Sequence, residues 1–306
     1  MQKKYHGVIP PIITPVTAKE EVDEEGLRAL VERCIEGGLH GIFVCGSNGE
    51  TMQLTQRQRE RAIQIAIDQV NGRLPVVCGA MDSSTMRALN NVKTIEQLGG
   101  KCVALTSIFY ARHCSQNESI RHFEAISKAS DLDVLIYNMP SMTGLNMAAS
   151  TIIHIGEMDH VMGYKDSSPC YGAFMNILEH FRNTPFACLQ GVTAQAVSAI
   201  LMGADGYVPA LAPLFPEIFV SAYEAARSGN IPLAIQYNAL VQETSKILDI
   251  GTNMTGAAKF AISTLGFTNK RVLQPQDGIT PEDEQRILKQ IEVVREKWTQ
   301  FREEAL

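Results

Sequence analysis

Val161-Met162-Gly163-Tyr164-Lys165-Asp166-Ser167-Ser168 is an apolar run that takes on charge only toward its end. Its length and composition predict a short buried strand. Seven further β-rich runs accompany it, at 7–15, 41–46, 75–80, 102–107, 134–140, 186–191 and 206–211, and the eight recur at intervals of 20 to 34 residues. Most are continuous rather than alternating, the pattern of strands covered on both faces. Between them lie helical stretches. Residues 24–36 carry Leu27, Leu30, Val31 and Cys34 at helical spacing and stop at Gly37-Gly38. Residues 55–70 begin with an N-cap candidate, Thr55, and set Ala62, Ile65, Ala66 and Val70 on one face. The same logic predicts helices at 84–98, 117–129, 149–158, 171–181, 193–202 and 215–228.

Alternating β and α elements imply a parallel sheet with helical crossovers. Eight such units within about 230 residues have the size of a (β/α)8 TIM barrel. An open doubly wound sheet is the rival. It is weakened because no Gly-x-Gly-x-x-Gly follows the first run and no Gly-x-x-x-x-Gly-Lys-Ser/Thr occurs. After Asn230 the strands stop, and 232–250, 256–265 and 281–305 read as helices. The last opens on Thr280-Pro281-Glu282-Asp283-Glu284, an N-cap, a proline at N1 and acids in the first turn. The expected organisation is a barrel domain at 1–230 and a C-terminal helical appendage at 231–306.

Composition narrows the partners. Hydrophobic residues make up 45% of 306, enough for a large core, and the net charge is −6 with no basic cluster. Nucleic acid and anionic membranes are poor partners for such a chain. No apolar run approaches the roughly 18 residues of a membrane span. Pro10-Pro11 interrupts the first apolar run, which makes it a poor signal peptide. The seven cysteines include no Cys-x-x-Cys, and Cys45, Cys78, Cys102 and Cys188 sit in strand-like runs as small buried thiols. A reduced, cytoplasmic protein is the simple expectation. The seven histidines show no ligand spacing, so no metal is expected.

In a barrel of this kind the reactive groups sit at the C-terminal ends of the strands. Lys165 falls there. Burial drives a lysine toward its neutral, nucleophilic form, and a neutral amine attacks a ketone to give an imine; the plain alternative is a strand-end lysine that snorkels to water. Tyr137, at the end of 134–140, is either a packed, hydrogen-bonded core tyrosine or a proton carrier for a neighbouring site. Fifth and sixth strands are neighbours in a sequential barrel, so Tyr137 and Lys165 meet near one mouth. Gly46-Ser47-Asn48-Gly49-Glu50, after the second run, is either an ordinary turn or a cradle of amides and side-chain donors for a carboxylate.

Gly-Ser-Asn-Gly-Glu at 46–50, Tyr-Asn-Met-Pro at 137–140 and Gly-Tyr-Lys-Asp at 163–166 resemble, in order and spacing, three signatures of the dihydrodipicolinate synthase / N-acetylneuraminate lyase family. The resemblance spans the chain. It implies class I aldolase chemistry on pyruvate or another 2-keto acid, with Lys165 as imine nucleophile and Tyr137 as general acid/base. It also implies that Ser47 links Tyr137 to a second tyrosine, here Tyr110, that reaches across from a neighbouring subunit. Ser47 and Asn48 hold the substrate carboxylate in this reading. Thr143, Ser167, Gly191 and Thr193 are the substrate-hydroxyl contacts, and Glu50 holds the turn. No dissociable cofactor is implied, and the expected assembly is a homotetramer, a dimer of dimers.

Two departures bear on substrate. Synthases of the family carry an arginine two residues after the proline of the tyrosine motif; here that residue is Met142. Methionine cannot make the paired, charge-assisted bonds of a guanidinium with a carboxylate, although Arg112 from another loop is a possible substitute. Neuraminate lyases carry an acidic pair after the seventh strand; here the stretch is Gly191-Val192-Thr193-Ala194. What remains is similar to the 2-keto-3-deoxy sugar acid aldolases and dehydratases. The expected activity is therefore a Schiff-base lyase on pyruvate or 2-keto-3-deoxy acids. The alternatives are a dihydrodipicolinate synthase acting on pyruvate and aspartate semialdehyde, and a non-catalytic keto-acid-binding barrel. A phosphate-binding barrel is weaker, because 209–213 lacks the glycines that close phosphate approach needs.

Overall fold

The computed structural model describes residues 3–110 and 115–304. Eight parallel strands alternate with helices: β1 (Gly7–Val8), α1 (Glu24–Glu36), β2 (Ile42–Val44), α2 (Gln56–Val70), β3 (Val76–Gly79), α3 (Thr85–Gln97), β4 (Cys102–Leu105), α4 (Gln116–Ser127) and β5 (Asp133–Asn138). Then come α5 (Pro140–Thr143), α6 (Ala149–Gly156), β6 (Val161–Asp166), α7 (Tyr171–His180), β7 (Ala187–Gln190), α8 (Thr193–Leu201), β8 (Gly206–Tyr207) and α9 (Pro216–Arg227). Three further α-helices follow: α10 (Ile231–Ser245), α11 (Met254–Ser263) and α12 (Pro281–Glu304).

The sheet order runs β1-β8-β7-β6-β5-β4-β3-β2, every pair parallel. The remaining seam, between β1 and β2, is closed by residues just past β1. Phe43 N–H donates to the Pro10 carbonyl at 2.9 Å, and Ile12 N–H donates to the Phe43 carbonyl at 3.0 Å. The expected strand over 7–15 is thus cut short as a ladder, because Pro10 and Pro11 have no N–H to give. The fold is the (β/α)8 barrel that the alternation predicts. Helix ends also follow the sequence. Thr55 caps α2 in a reciprocal box with Gln58, and Ser84 caps α3.

Period-two alternation divides the core. Val44, Cys78, Val103, Ile136, Tyr164 and Tyr207 point outward into the layer between strands and helices. Phe43, Val77, Ala104, Leu135, Tyr137, Leu189 and Val208 fill the lumen, with Tyr5 among them. Tyr5 donates to Asp133 Oδ2 at 2.6 Å. Gly163 gives Leu135 its room: a Cβ there would lie 2.7 Å from Leu135 Cδ2. Cys45, Cys78, Cys102 and Cys188 are buried as expected, and burial pushes the Cys45 and Cys102 thiols up to about 12.

Candidate active site

β5 and β6 pair so that Tyr137 stands opposite Lys165, and β6 sets Lys165 opposite Leu189 of β7. Strand alternation sends all three side chains into the lumen, one residue short of the C-terminal ends of β5 and β6. Lys165 is 6% exposed. Its Nζ meets ring faces rather than a carboxylate, 3.9 Å from the centre of the Tyr137 ring and 5.0 Å from that of Phe43. Beneath it the lumen is packed, with a void of only about 10 Å³ among Ile9, Phe43, Leu135 and Leu189.

Tyr137 Oη lies 3.4 Å from Ser47 Oγ. Burial raises the Tyr137 pKa, but the Lys165 charge opposes it, and hydrogen bonds with Ser47, Lys165 and Ser167 carry the net shift below the usual tyrosine value. A tyrosine held in this state exchanges protons with a neighbour more readily than a free phenol does. Ser47 is placed by the loop after β2, a tight turn in which Gly49 N–H donates to Gly46 O and Glu50 N–H to Ser47 O, each at 3.1 Å. Cys45 and Glu50 take left-handed backbone angles, φ 53° and 56°. The Glu50 carboxylate ion-pairs with Lys259 of α11 and accepts from Leu273 N–H at 2.7 Å, so it holds the turn from beneath. Asn48 Nδ2 donates to the Pro11 carbonyl at 2.7 Å, which turns that side chain toward the β1 segment.

Gly191 packs against Lys165. A Cβ there would lie 2.3 Å from Ser167 Oγ, 2.7 Å from Asp166 O and 3.1 Å from Lys165 Cε, so only glycine leaves the lysine and Ser167 where they are. Asp166 faces away from the lumen and anchors the strand ends. It accepts from Ser168 N–H and Ser168 Oγ at 3.0 Å each and from Asn138 Nδ2 at 3.2 Å. Burial pushes the Asp166 carboxyl up, against these donors.

A cavity of about 190 Å³ opens above the Ser47–Tyr137 pair, and Ser47 is part of its wall. Of the residues singled out from sequence, Thr143 and Met142 also line it, whereas Asn48, Ser167, Gly191 and Thr193 do not, and Tyr137 and Lys165 border the small lumen void instead. Thr193 begins α8, and its carbonyl accepts from Gln242 Nε2 at 3.2 Å. Tyr110 is 99% exposed with φ 62° and does not reach Ser47 within its own chain. Arg112 lies outside the described residues. Sequence reasoning missed Phe43, which alternation along β2 marks as inward-facing. It also missed Met81, Thr106, Phe109, Met139, Thr255 and Gln276 in the cavity wall; Thr255 and Gln276 come from the C-terminal tail, where no motif flags them. A larger open groove of about 430 Å³ runs along α2 past Arg57, Glu60 and Arg61 and shares no residue with this site.

A lysine in the lumen of an eight-stranded barrel, against a buried tyrosine tied to a serine, is the layout of a lysine-dependent aldolase. Residues 4–294 match the model of the dihydrodipicolinate synthetase family, and the chain belongs to that family as a lyase of the class I aldolase type. It is 33% identical to a 4-hydroxy-tetrahydrodipicolinate synthase of Methanopyrus kandleri over 256 residues, 80% of this chain and 84% of that one. An uncharacterized DapA-like lyase of Halobacterium salinarum is 28% identical over 91% of this chain and 90% of its own. Among solved structures, the dihydrodipicolinate synthase of Bacteroides thetaiotaomicron superposes with TM-score 0.89 at 30% identity, covering 95% of this chain and 99% of that one. A prophage protein of the same family from E. coli K12, solved in complex with pyruvate, shares the fold with TM-score 0.90 at 24% identity, covering 95% and 99%.

Proposed function

We propose that this protein is a Schiff-base lyase acting on pyruvate and 2-keto-3-deoxy acids, with Lys165 as nucleophile and Tyr137 as general acid/base. The observation that carries the reading is Lys165 Nζ in the lumen 3.9 Å from the Tyr137 ring, with Tyr137 Oη 3.4 Å from Ser47 Oγ. Lys165 adds to the keto carbon and water leaves, giving a protonated imine. In cleavage, Tyr137 takes the proton of the C4 hydroxyl and the C3–C4 bond breaks. Its electron pair moves into the imine as an enamine, and C4 departs as an aldehyde. The enamine regains a proton at C3, and water hydrolyses the imine to release pyruvate and free Lys165. A dehydratase uses the same imine, losing a C3 proton and a hydroxyl as water. Ser47 and the amides of its turn are the proposed carboxylate contacts, with Asn48, Thr143, Ser167, Gly191 and Thr193 as further substrate contacts. No dissociable cofactor enters this scheme, because the imine itself is the electron sink.

The name of the Methanopyrus kandleri relative favours a second reading, the synthase reaction with aspartate semialdehyde. Met142 on the cavity wall argues against it, because no described residue of that wall is cationic. We further propose a cytoplasmic homotetramer, a dimer of dimers, in which Tyr110 completes the site of a neighbouring subunit. Its near-complete exposure beside Phe109 of the cavity wall, in a conformation costly for a non-glycine residue, supports that role. Pyruvate release from 4-hydroxy-2-oxo acids, read with lactate dehydrogenase and NADH, should exceed turnover of pyruvate with aspartate semialdehyde by at least about tenfold. Faster turnover of aspartate semialdehyde would replace the main reading with the second.

A further inference from the structure

The cavity above Ser47 differs chemically from the polar surface around it. Five apolar side chains, Met52, Met81, Phe109, Met139 and Met142, make up much of its wall. The rest are serine, threonine and glutamine, and no described residue of the wall carries a charge. Met142 is 65% exposed and Met52 47% exposed, so large apolar groups stand at the mouth itself. Clustered exposed apolar side chains mark a surface meant to be covered, and methionines shape themselves to irregular apolar ligands.

Position identifies what the cavity receives. Ser47 forms part of the wall and lies 3.4 Å from Tyr137 Oη, and the Tyr137 ring lies 3.9 Å from Lys165 Nζ. Neither Tyr137 nor Lys165 is part of the wall, so a substrate tethered to Lys165 by its keto carbon would reach this space past Tyr137 and Ser47. Among the described residues of the wall, a carboxylate or phosphate there would find no cation to pair with, and burying it unpaired is costly. Size sets a second limit. An apolar cavity of roughly 150 Å³ holds a benzene ring, and this one is about 190 Å³.

Resting on the Schiff-base reading above, we propose that the aldehyde half of the substrate is uncharged and apolar, with about six or seven carbons. A phenyl ring or a hexyl chain should be preferred over a polyol or an acid-terminated chain. Met142 is the specificity-determining residue at the mouth.

The test is aldol condensation of saturating pyruvate with propanal, butanal, hexanal, benzaldehyde, D-glyceraldehyde and succinic semialdehyde, followed by product mass. The same preparation is first treated with pyruvate and borohydride. The expected kcat/KM rises about fourfold per methylene along the alkyl series, the transfer free energy of a buried CH2. Hexanal and benzaldehyde exceed succinic semialdehyde and glyceraldehyde by at least about tenfold, and M142R narrows or reverses the preference over succinic semialdehyde by about tenfold. A flat alkyl series, a preference for glyceraldehyde or succinic semialdehyde (the latter by way of Arg112, for instance), an unchanged M142R, or no turnover of any aldehyde by protein that does trap pyruvate overturns the proposal and leaves the imine chemistry standing. Failure to trap pyruvate removes both.

Discussion

At the scale of single residues, Lys165 conditions the ionisation of Tyr137. Tyr137 is buried, which by itself makes a phenol harder to ionise; the Lys165 charge is the largest of the contributions that oppose it, with hydrogen bonds from Ser47, Lys165 and Ser167 beside it. Lys165→Ala removes that charge and one hydrogen bond, and leaves burial opposed only by the hydrogen bonds with Ser47 and Ser167. Tyrosinate absorbance followed against pH should therefore show the Tyr137 transition displaced upward in Lys165→Ala relative to the unaltered protein. A transition that stays in place would mean that the lysine does not set the tyrosine's state. Both residues were readable from sequence because strand periodicity and the order of strands five and six put them at one mouth. The partners that tune them were less readable. Phe43 needed only the alternation of β2, but the contact of Gly191 with Lys165 Cε depends on how closely β6 and β7 approach, which spacing does not encode.

Elements are positioned by their buried polar contacts as much as by apolar faces. His122 of α4 is 2% exposed, its Nδ1 2.9 Å from Thr85 Oγ1 at the start of α3, and its Nε2 is buried with no hydrogen-bond partner among the described residues. Burial pushes its pKa down to about 4 from 6.5. The folded pKa lies below the unfolded one, so the unfolded chain binds the extra proton first as pH falls. Stability attributable to His122 is present above pH 6.5 and drains away toward pH 4, by on the order of 3 kcal/mol at the end of that window. Between pH 6.5 and 5, denaturant titrations of His122→Leu should give a flatter stability profile than the unaltered protein; parallel profiles would exclude His122 as the source. The Thr55 cap was visible because capping is local, within three residues. The four-residue α5 was not, since one turn leaves no period to read.

For the whole molecule, we propose that 1–230 forms the catalytic barrel and that 231–306 is an appendage that helps to build the site. Thr255 and Gln276 supply part of the cavity wall. Lys259 of α11, fully buried, pairs with Glu50 in the loop that carries Ser47, and donates to the Arg271 carbonyl at 2.7 Å. Removing one member of a buried pair strands the other, so Lys259→Ala should lower stability by about 3–5 kcal/mol. The double replacement Lys259→Met with Glu50→Gln should recover much of that loss. A double variant no better than Lys259→Ala, by thermal or denaturant unfolding, would show that the ion pair is not the tie. No sequence pattern announced this link, because its partners lie in separate parts of the chain and each looks like an ordinary charged residue. The barrel itself was legible from end to end, since eight apolar runs at near-regular intervals leave few topologies open.

The central claim is that Lys165 makes an imine with a 2-keto acid, and borohydride trapping with pyruvate tests it most directly. Intact mass and peptide mapping should find one reduced pyruvate adduct per chain, on Lys165, and none in Lys165→Ala. Well-folded protein that takes up no adduct from pyruvate or larger 2-keto acids, or that carries the adduct on another lysine, would contradict the account.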